Sequence, residues 1–225
     1  MRLPLFSRET KMLYSITGEI LLKNTKEAMI QEDKVELLNQ EKEKLVEAFK
    51  SGEALEDPSV LSRFVILMFA DLKKYTFHYW FAFPALSLPI GTETEKPAKI
   101  SEIFPGEVRT RMAESYREWK RENPGQSGFF FVDKSTSTFM TLKEGMGKCS
   151  SGSSNLIVGF ADPSSYAEYP GWPLRNLAGL MLYNGKLSGD PIEVLCLRQE
   201  GNSIDNSVIV RISCKKPFDG MSNDS

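Results

Sequence analysis

Phe77, Tyr79, Phe81 and Phe83 fall on every second position of the stretch Asp71–Leu86. In an extended strand that period places all four on one face. The run just before it, Phe64–Ala70, is seven apolar residues long, too short to span a membrane and too continuous for a half-solvated strand. Together the two predict a buried hairpin that turns at Leu72-Lys73-Lys74, where the lysines favour solvent. From Thr25 to Lys50 the period changes to that of a helix: Val35, Leu38, Leu45 and Phe49 share a stripe, Lys42 is its polar gap, and Glu and Lys fill the outside. Ser51-Gly52 stops it, since Gly takes the left-handed C-terminal conformation without a Cβ penalty. A coiled coil needs more than two heptads interrupted by a lysine.

Glu56-Asp57-Pro58-Ser59 reads as a turn into the hairpin, and residues 1–17 read as an irregular leader. Past the hairpin, 89–105 is polar and rich in Pro, Gly and Thr, which predicts an insertion loop. A second helix is expected over Gly106–Arg121, with Val108, Met112, Tyr116 and Trp119 on one face. Phe129–Val132 and Thr138–Leu142 predict a hairpin around Asp133–Ser137, although no Gly is present to fix the turn type. Gly145–Ser154 reads as a Gly/Ser linker before a third buried run, Leu156–Phe160. The second proline of Tyr169-Pro170-Gly171-Trp172-Pro173 can open a helix over Leu174–Tyr183. Ile192–Leu197 and Val208–Ile212 form a closing strand pair, and 214–225 is a tail. Helices and short hairpin-like strands in irregular alternation favour an α+β fold over a doubly wound parallel sheet, with one domain over 18–213.

Charge narrows the partners. The 225 residues carry 28 Lys+Arg against 30 Asp+Glu, so no polybasic field attracts phosphate backbones or anionic lipid, and neither nucleic acid nor membrane insertion is expected. Cys149, Cys196 and Cys214 are an odd number without Cys-x-x-Cys spacing, which fits a reducing compartment and a cytoplasmic protein.

Candidate chemistry is sparse. His78 is the one histidine; a triad or zinc site needs further partners, so it reads as a structural or surface residue. Gly145-Met146-Gly147-Lys148-Cys149 lacks the outer Gly and the Ser/Thr of a phosphate loop. Cys149 beside Lys148 has a cation that can activate a thiol, yet no base stands near it in sequence. Cys196 and Cys214 read as core fillers. Trp172 and Arg175 allow two readings: a turn anchored by Trp172 against the core with Arg175 tying loops together, or an Arg175 that clamps a carboxylate or caps a neighbouring carbonyl.

Ser51–Pro58, Phe69–Tyr75, Tyr79–Phe81, Phe83–Leu86 and Tyr169–Asn176 resemble, in order and spacing, the N-terminal domain of the autophagy-specific ubiquitin-like-modifier-activating enzyme. The similarity runs with gaps from about Gly18 to Ile212. What it implies is the following. Full-length members use ATP and Mg²⁺ to adenylate the carboxyl-terminal glycine of ubiquitin-like autophagy modifiers, form a thioester on a cysteine, and pass the modifier to autophagy conjugating enzymes. The adenylation fold, its metal-linked cysteines and its catalytic cysteine belong to a carboxyl-terminal domain without counterpart here. The chain is then a non-catalytic recruitment module that binds the conjugating enzymes, holds no cofactor or metal, is truncated at both ends with Met1–Lys11 in place of the family's opening portion, and is monomeric. Its location would be the cytoplasm, including the preautophagosomal structure. The resemblance assigns no groove residue. Two alternatives from other classes are a thiol enzyme using Cys149 and a non-functional truncated product.

Overall fold

A computed structural model describes residues 2–4, 15–126, 128–150, 155–186 and 191–215. The first sheet begins with β1 (Arg2–Pro4), antiparallel to β2 (Ser15–Leu22). The chain then crosses through α1 (Lys26–Gln31), α2 (Lys34–Ser51), the single turn α3 (Glu53–Glu56) and a 3-10 turn at Pro58–Ser62. That crossover lets β3 (Phe64–Asp71) return parallel to β2, and β4 (Thr76–Ala82) folds back antiparallel on β3 at the end of the order β1-β2-β3-β4.

The second, larger sheet follows. It contains β5 (Thr92–Thr94) and β6 (Ala98–Lys99), then after α4 (Ile100–Ile103) and α5 (Gly106–Glu122) the hairpin β7 (Phe129–Asp133) and β8 (Phe139–Met140). Helix α6 (Leu142–Ser150) leads to β9 (Leu156–Ala161), α7 (Pro173–Tyr183), β10 (Ile192–Leu197) and β11 (Val208–Cys214). Its strand order is β5-β11-β10-β9-β7-β8, with β6 also on β11 and only β9 and β10 parallel. The fold is therefore α+β, with mixed sheets of short strands. Side chains alternate between two cores: Phe129, Phe131, Val158 and Phe160 bury with Phe49 of α2 and Leu177 of α7, while Phe130, Val132 and Ile157 bury with Met112 and Tyr116 of α5 and with Phe64 of the first sheet. A sheet covered on both faces explains why its strands read as continuous apolar runs.

Several expectations need correction. The supposed leader 1–17 supplies β1 and the start of β2, and Ile16 is buried. The supposed single helix 25–50 is two, each with its own side-chain cap: Thr25 accepts from Ala28 N, and Asp33 from Val35 N and Glu36 N. The buried stripe of α2 is also rotated, to Leu37, Glu41, Leu45, Val46, Ala48 and Phe49, with Val35 exposed. Glu41 is buried there because Arg63 Nε meets its carboxylate at 3.2 Å. The supposed insertion loop 89–105 seals an edge, since Thr92–Thr94 and Ala98–Lys99 both pair with β11 and Ile100 is fully buried.

The supposed linker 145–154 is largely α6. Thr141 and Glu144 cap it reciprocally: Glu144 N donates to Thr141 Oγ1, and Thr141 N to Glu144 Oε2. Gly145 is there for contact, because a Cβ at that position would lie 2.1 Å from the Phe131 ring. Residues 151–154 of that linker and 216–225 of the tail lie outside the described residues, and Cys214 closes β11.

Candidate partner-binding surface

Strand β4 forms because its residues alternate and because Asp71 builds the turn that precedes it. The Asp71 carboxylate accepts from Lys73 N and Lys74 N, both at 3.2 Å, and Tyr75 takes the left-handed conformation with φ 53°. Pairing then locks Asp71↔Thr76, Met68↔Tyr79 and Ile66↔Phe81. Directly paired residues share a face, so Phe77, Tyr79 and Phe81 stand beside Ala70, Met68 and Ile66, and beyond them Leu22 and Ile20. A one-residue slip would exchange the two faces.

The strand lies within the stretch where the sequence placed it, and Phe77, Tyr79 and Phe81 share a face, but Phe83 falls past its end and that face is not buried. Phe77 is 59 % exposed, Tyr79 69 % and Phe81 42 %, with Tyr75 and Leu22 exposed at its margin. Only its lower end is covered: Phe64 is fully buried, Ile20, Ile66 and Phe83 pack against the second core, and Phe81 stacks on Phe64. The opposite face is the covered one, where Val65 and Leu67 are fully buried and Glu19 meets Lys44 of α2 and Arg63. Bonds to Lys44 hold the Glu19 carboxyl below its ordinary value despite partial burial. The result is an apolar aromatic strip on a strand at the edge of its sheet. Contiguous exposed apolar area of this kind marks interaction sites, whereas scattered single residues do not.

The turn at Tyr169–Asn176 anchors the lower end of the strip. Phe81 and Phe83 meet edge to face at 4.7 Å, and Phe83 stacks on Trp172 with centroids 4.0 Å apart. Asn176, buried at the start of α7, accepts from Leu86 N at 3.0 Å and donates to Leu61 O at 2.9 Å and Pro84 O at 3.0 Å. One amide thus satisfies three backbone groups where the chain leaves β4. Asp162 accepts from Ser164 N, Gly171 N and Arg198 Nε, all at 2.9 Å, and Arg198 reaches Tyr169 O at 3.2 Å. Burial pushes the Asp162 carboxyl up, with Arg198 and the two backbone donors opposing it. Gly171 has to be glycine, since a Cβ would sit 2.5 Å from Asp162 Oδ1.

The other candidates separate from this surface. His78 lies on the opposite face of β4, stacked on Phe69 at 6.2 Å, beside an open cleft of about 570 Å³ that Asn24, Thr25, Lys26, Asp71 and Lys74 also line. No group of His, Cys, Asp or Glu among the described residues is arranged to hold a metal ion. Cys149 sits partly buried on α6; burial pushes its thiol up, and the cation acting on it is Lys186, not Lys148. Burial also raises Cys196 well above the ordinary thiol range, which agrees with its place in the core. Trp172 is the anchor the turn chemistry implied. Arg175, in contrast, is exposed, and among the described residues its side chain ties no loops together.

The sequence matches the family profile described as "Ubiquitin-like modifier-activating enzyme ATG7 N-terminus" over residues 7–224. The chain belongs to that family. The matched range extends past the 18–212 over which the resemblance runs. The curated ATG7 of Mus musculus is 34% identical over 197 residues, covering 84% of this chain and 28% of its own length. That of Emericella nidulans is 34% identical over 231 aligned residues, covering 94% of this chain and 34% of its own. The chain thus spans about a quarter to a third of the curated relatives it matches. Two solved structures share the fold. One, from a Kluyveromyces marxianus Atg7NTD–Atg10 complex, has a TM-score of 0.63 at 18% identity and covers 96% of this chain and 70% of that one. The other, Kluyveromyces marxianus Atg7NTD alone, has a TM-score of 0.62 at 19% identity.

Proposed function

We propose that this chain is a recruitment domain that binds an autophagy ubiquitin-like-conjugating enzyme through the aromatic face and free edge of β4. The exposure of Phe77, Tyr79 and Phe81 on an edge strand carries the reading. Family membership supports it, and so does the Kluyveromyces marxianus relative crystallised with Atg10. An edge strand with apolar side chains at alternate positions suits an added strand or an amphipathic helix, modes that need no catalytic group. In this reading adenylation and thioester formation, with their ATP and Mg²⁺, belong to a catalytic domain elsewhere. The chain works in the cytoplasm and at the preautophagosomal structure by holding the enzyme that receives the modifier, without itself reacting. It does so as a monomer.

Isothermal calorimetry of this chain with purified Atg10 tests the proposal. A Kd of ~10 µM or tighter, about −7 kcal/mol, is expected. The Phe77→Ser/Tyr79→Ser double variant should weaken it by at least ~10-fold, as loss of aromatic anchors does. Absence of heat at tens of micromolar, or binding indifferent to the double variant, overturns it.

A further inference from the structure

The first turn of α7 carries a cation that the fold does not use. Arg63, Arg109, Arg198 and Arg211 each hold a carboxylate, and Arg111 and Arg117 hold side-chain oxygens. The Arg175 guanidinium, like that of Arg121 near the end of α5, makes no hydrogen bond and no ion pair among the described residues, on an exposed side chain. It follows Trp172 by three residues, and Arg175 N donates to Trp172 O at 3.1 Å, so the two residues stand one turn apart at the start of α7. Trp172 stacks on Phe83, and Phe83 on the edge of Phe81, which continues to Tyr79 and Phe77 at alternate positions.

The strip itself is free of charge. Ile20 and Leu22 of β2, Ile66, Met68 and Ala70 of β3, and Phe77, Tyr79 and Phe81 of β4 make up the face, and none of them is a Lys, Arg, Asp or Glu. An uncharged aromatic ladder with one free guanidinium past its end has a definite complement. That complement is a segment with apolar side chains at alternate positions and an acidic side chain at one end. A planar guanidinium binds a carboxylate with two parallel bonds, and an aromatic neighbour shields that contact from water.

We propose that Arg175 is the specificity-determining cation of this surface: it pairs with an Asp or Glu side chain of the docked conjugating enzyme, whose neighbouring apolar residues lie along the β4 aromatics. This rests on the binding function proposed above.

Calorimetry of the chain and its Arg175→Glu, Arg175→Gln and Arg175→Lys variants with purified Atg10, at low and raised salt, tests it. Arg175→Glu is expected to weaken binding by at least ~10-fold and Arg175→Gln by ~5-fold, while Arg175→Lys loses no more than ~3-fold because charge survives without the fork. Raised salt should weaken the unaltered chain and leave Arg175→Gln nearly unmoved. Melting temperatures should not change, since the side chain has no partner to lose; a variant that melts early is replaced in the comparison by one that does not. Arg175→Glu and Arg175→Gln binding as tightly as the unaltered chain overturns the assignment and leaves the recruitment function standing. Failure of the unaltered chain to bind overturns both.

Discussion

Trp172 lies over Phe83 with ring centroids 4.0 Å apart and planes 18° from parallel, and this stack joins the exit of β4 to the start of α7. Trp172→Ala removes one ring of a chain that continues through Phe83 to Phe81. Full burial would put the cost at about 3–5 kcal/mol, and a half-buried ring at the lower end of that range. Trp172→Phe keeps a ring on Phe83 and should lose less than about 1.5 kcal/mol. Urea unfolding midpoints measure the difference. A midpoint unmoved by Trp172→Ala would show that the stack between the exit of β4 and the start of α7 does not stabilise the fold.

Helix α6 contains two glycines with opposite roles. Gly145 lies against Phe131, where a Cβ would come within 2.1 Å of the ring, while a Cβ on Gly147 would meet nothing within 4 Å. Gly145→Ala should therefore destabilise by about 1–3 kcal/mol through overpacking. Gly147→Ala should stabilise by up to about 1 kcal/mol, because alanine restores helix propensity at an open position. A flexible linker would give neither effect, so equal and negligible shifts for the two variants in thermal melts would contradict the helix.

What the sequence made legible, and what it hid, divide along one physical line. Helix α5 was readable in full, since Met112, Tyr116 and Trp119 bury against a single core and the polar residues between them need no partner. The turn after β7 was readable although it lacks glycine, because Ser137 takes φ 62° and Asp133 accepts from Ser135 N and Thr136 N. Features decided by distant partners were hidden. A period of two shows that Phe77, Tyr79 and Phe81 share a face, but which face is wet depends on where α1 and α2 come to rest. Glu41 is a buried position because Arg63, 22 residues later, joins the local Lys44 in pairing with its carboxylate. Strand β2 pairs in parallel with β3 across three helices and a 3-10 turn, a contact no local pattern announces. One miss was avoidable: Thr141-x-x-Glu144 is a capping box standing in front of α6, outweighed in the reading by the Gly and Ser that follow it. The strand that carries the exposed strip was therefore legible, its environment was not, and nothing in the sequence marked it as the candidate site.

Glu193 gives a pH dependence with a definite sign. It lies opposite Arg211 in the β10–β11 pair, accepts from Arg211 Nη2 at 3.0 Å and Nε at 3.3 Å, and meets Lys134 Nζ at 3.2 Å. Burial, the largest single influence, raises its carboxyl, and the bonds to Arg211 and Lys134 together more than reverse that, so it sits below its ordinary value. The unfolded chain then takes up this proton first as pH falls. The stabilisation is complete above the unfolded value of about 4.3 and is lost as pH drops through the lower folded value. Glu193→Gln should accordingly be less stable than the unaltered chain at pH 7, and the two should converge by about pH 3 or below. Chemical denaturation at a series of pH values reads this directly, and a stability gap that widens on acidification would contradict the assignment.

The three cysteines should behave as packing residues. Cys196 and Cys214 are buried, and Cys149 is partly buried with its thiol pushed up by desolvation that Lys186 only partly offsets. Alkylation proceeds through the thiolate, so a raised thiol lowers the reactive fraction at neutral pH. Iodoacetamide at pH 7 should thus modify Cys149 more slowly than free glutathione, and Cys196 and Cys214 should stay unmodified until the chain unfolds. In urea all three should react at the rate of an unstructured thiol. Mass spectrometry of the alkylated chain follows each site separately. Rapid modification of Cys149 in the folded chain, lost on Cys149→Ser, would revive a thiol-dependent activity and count against a domain that works only by holding a partner.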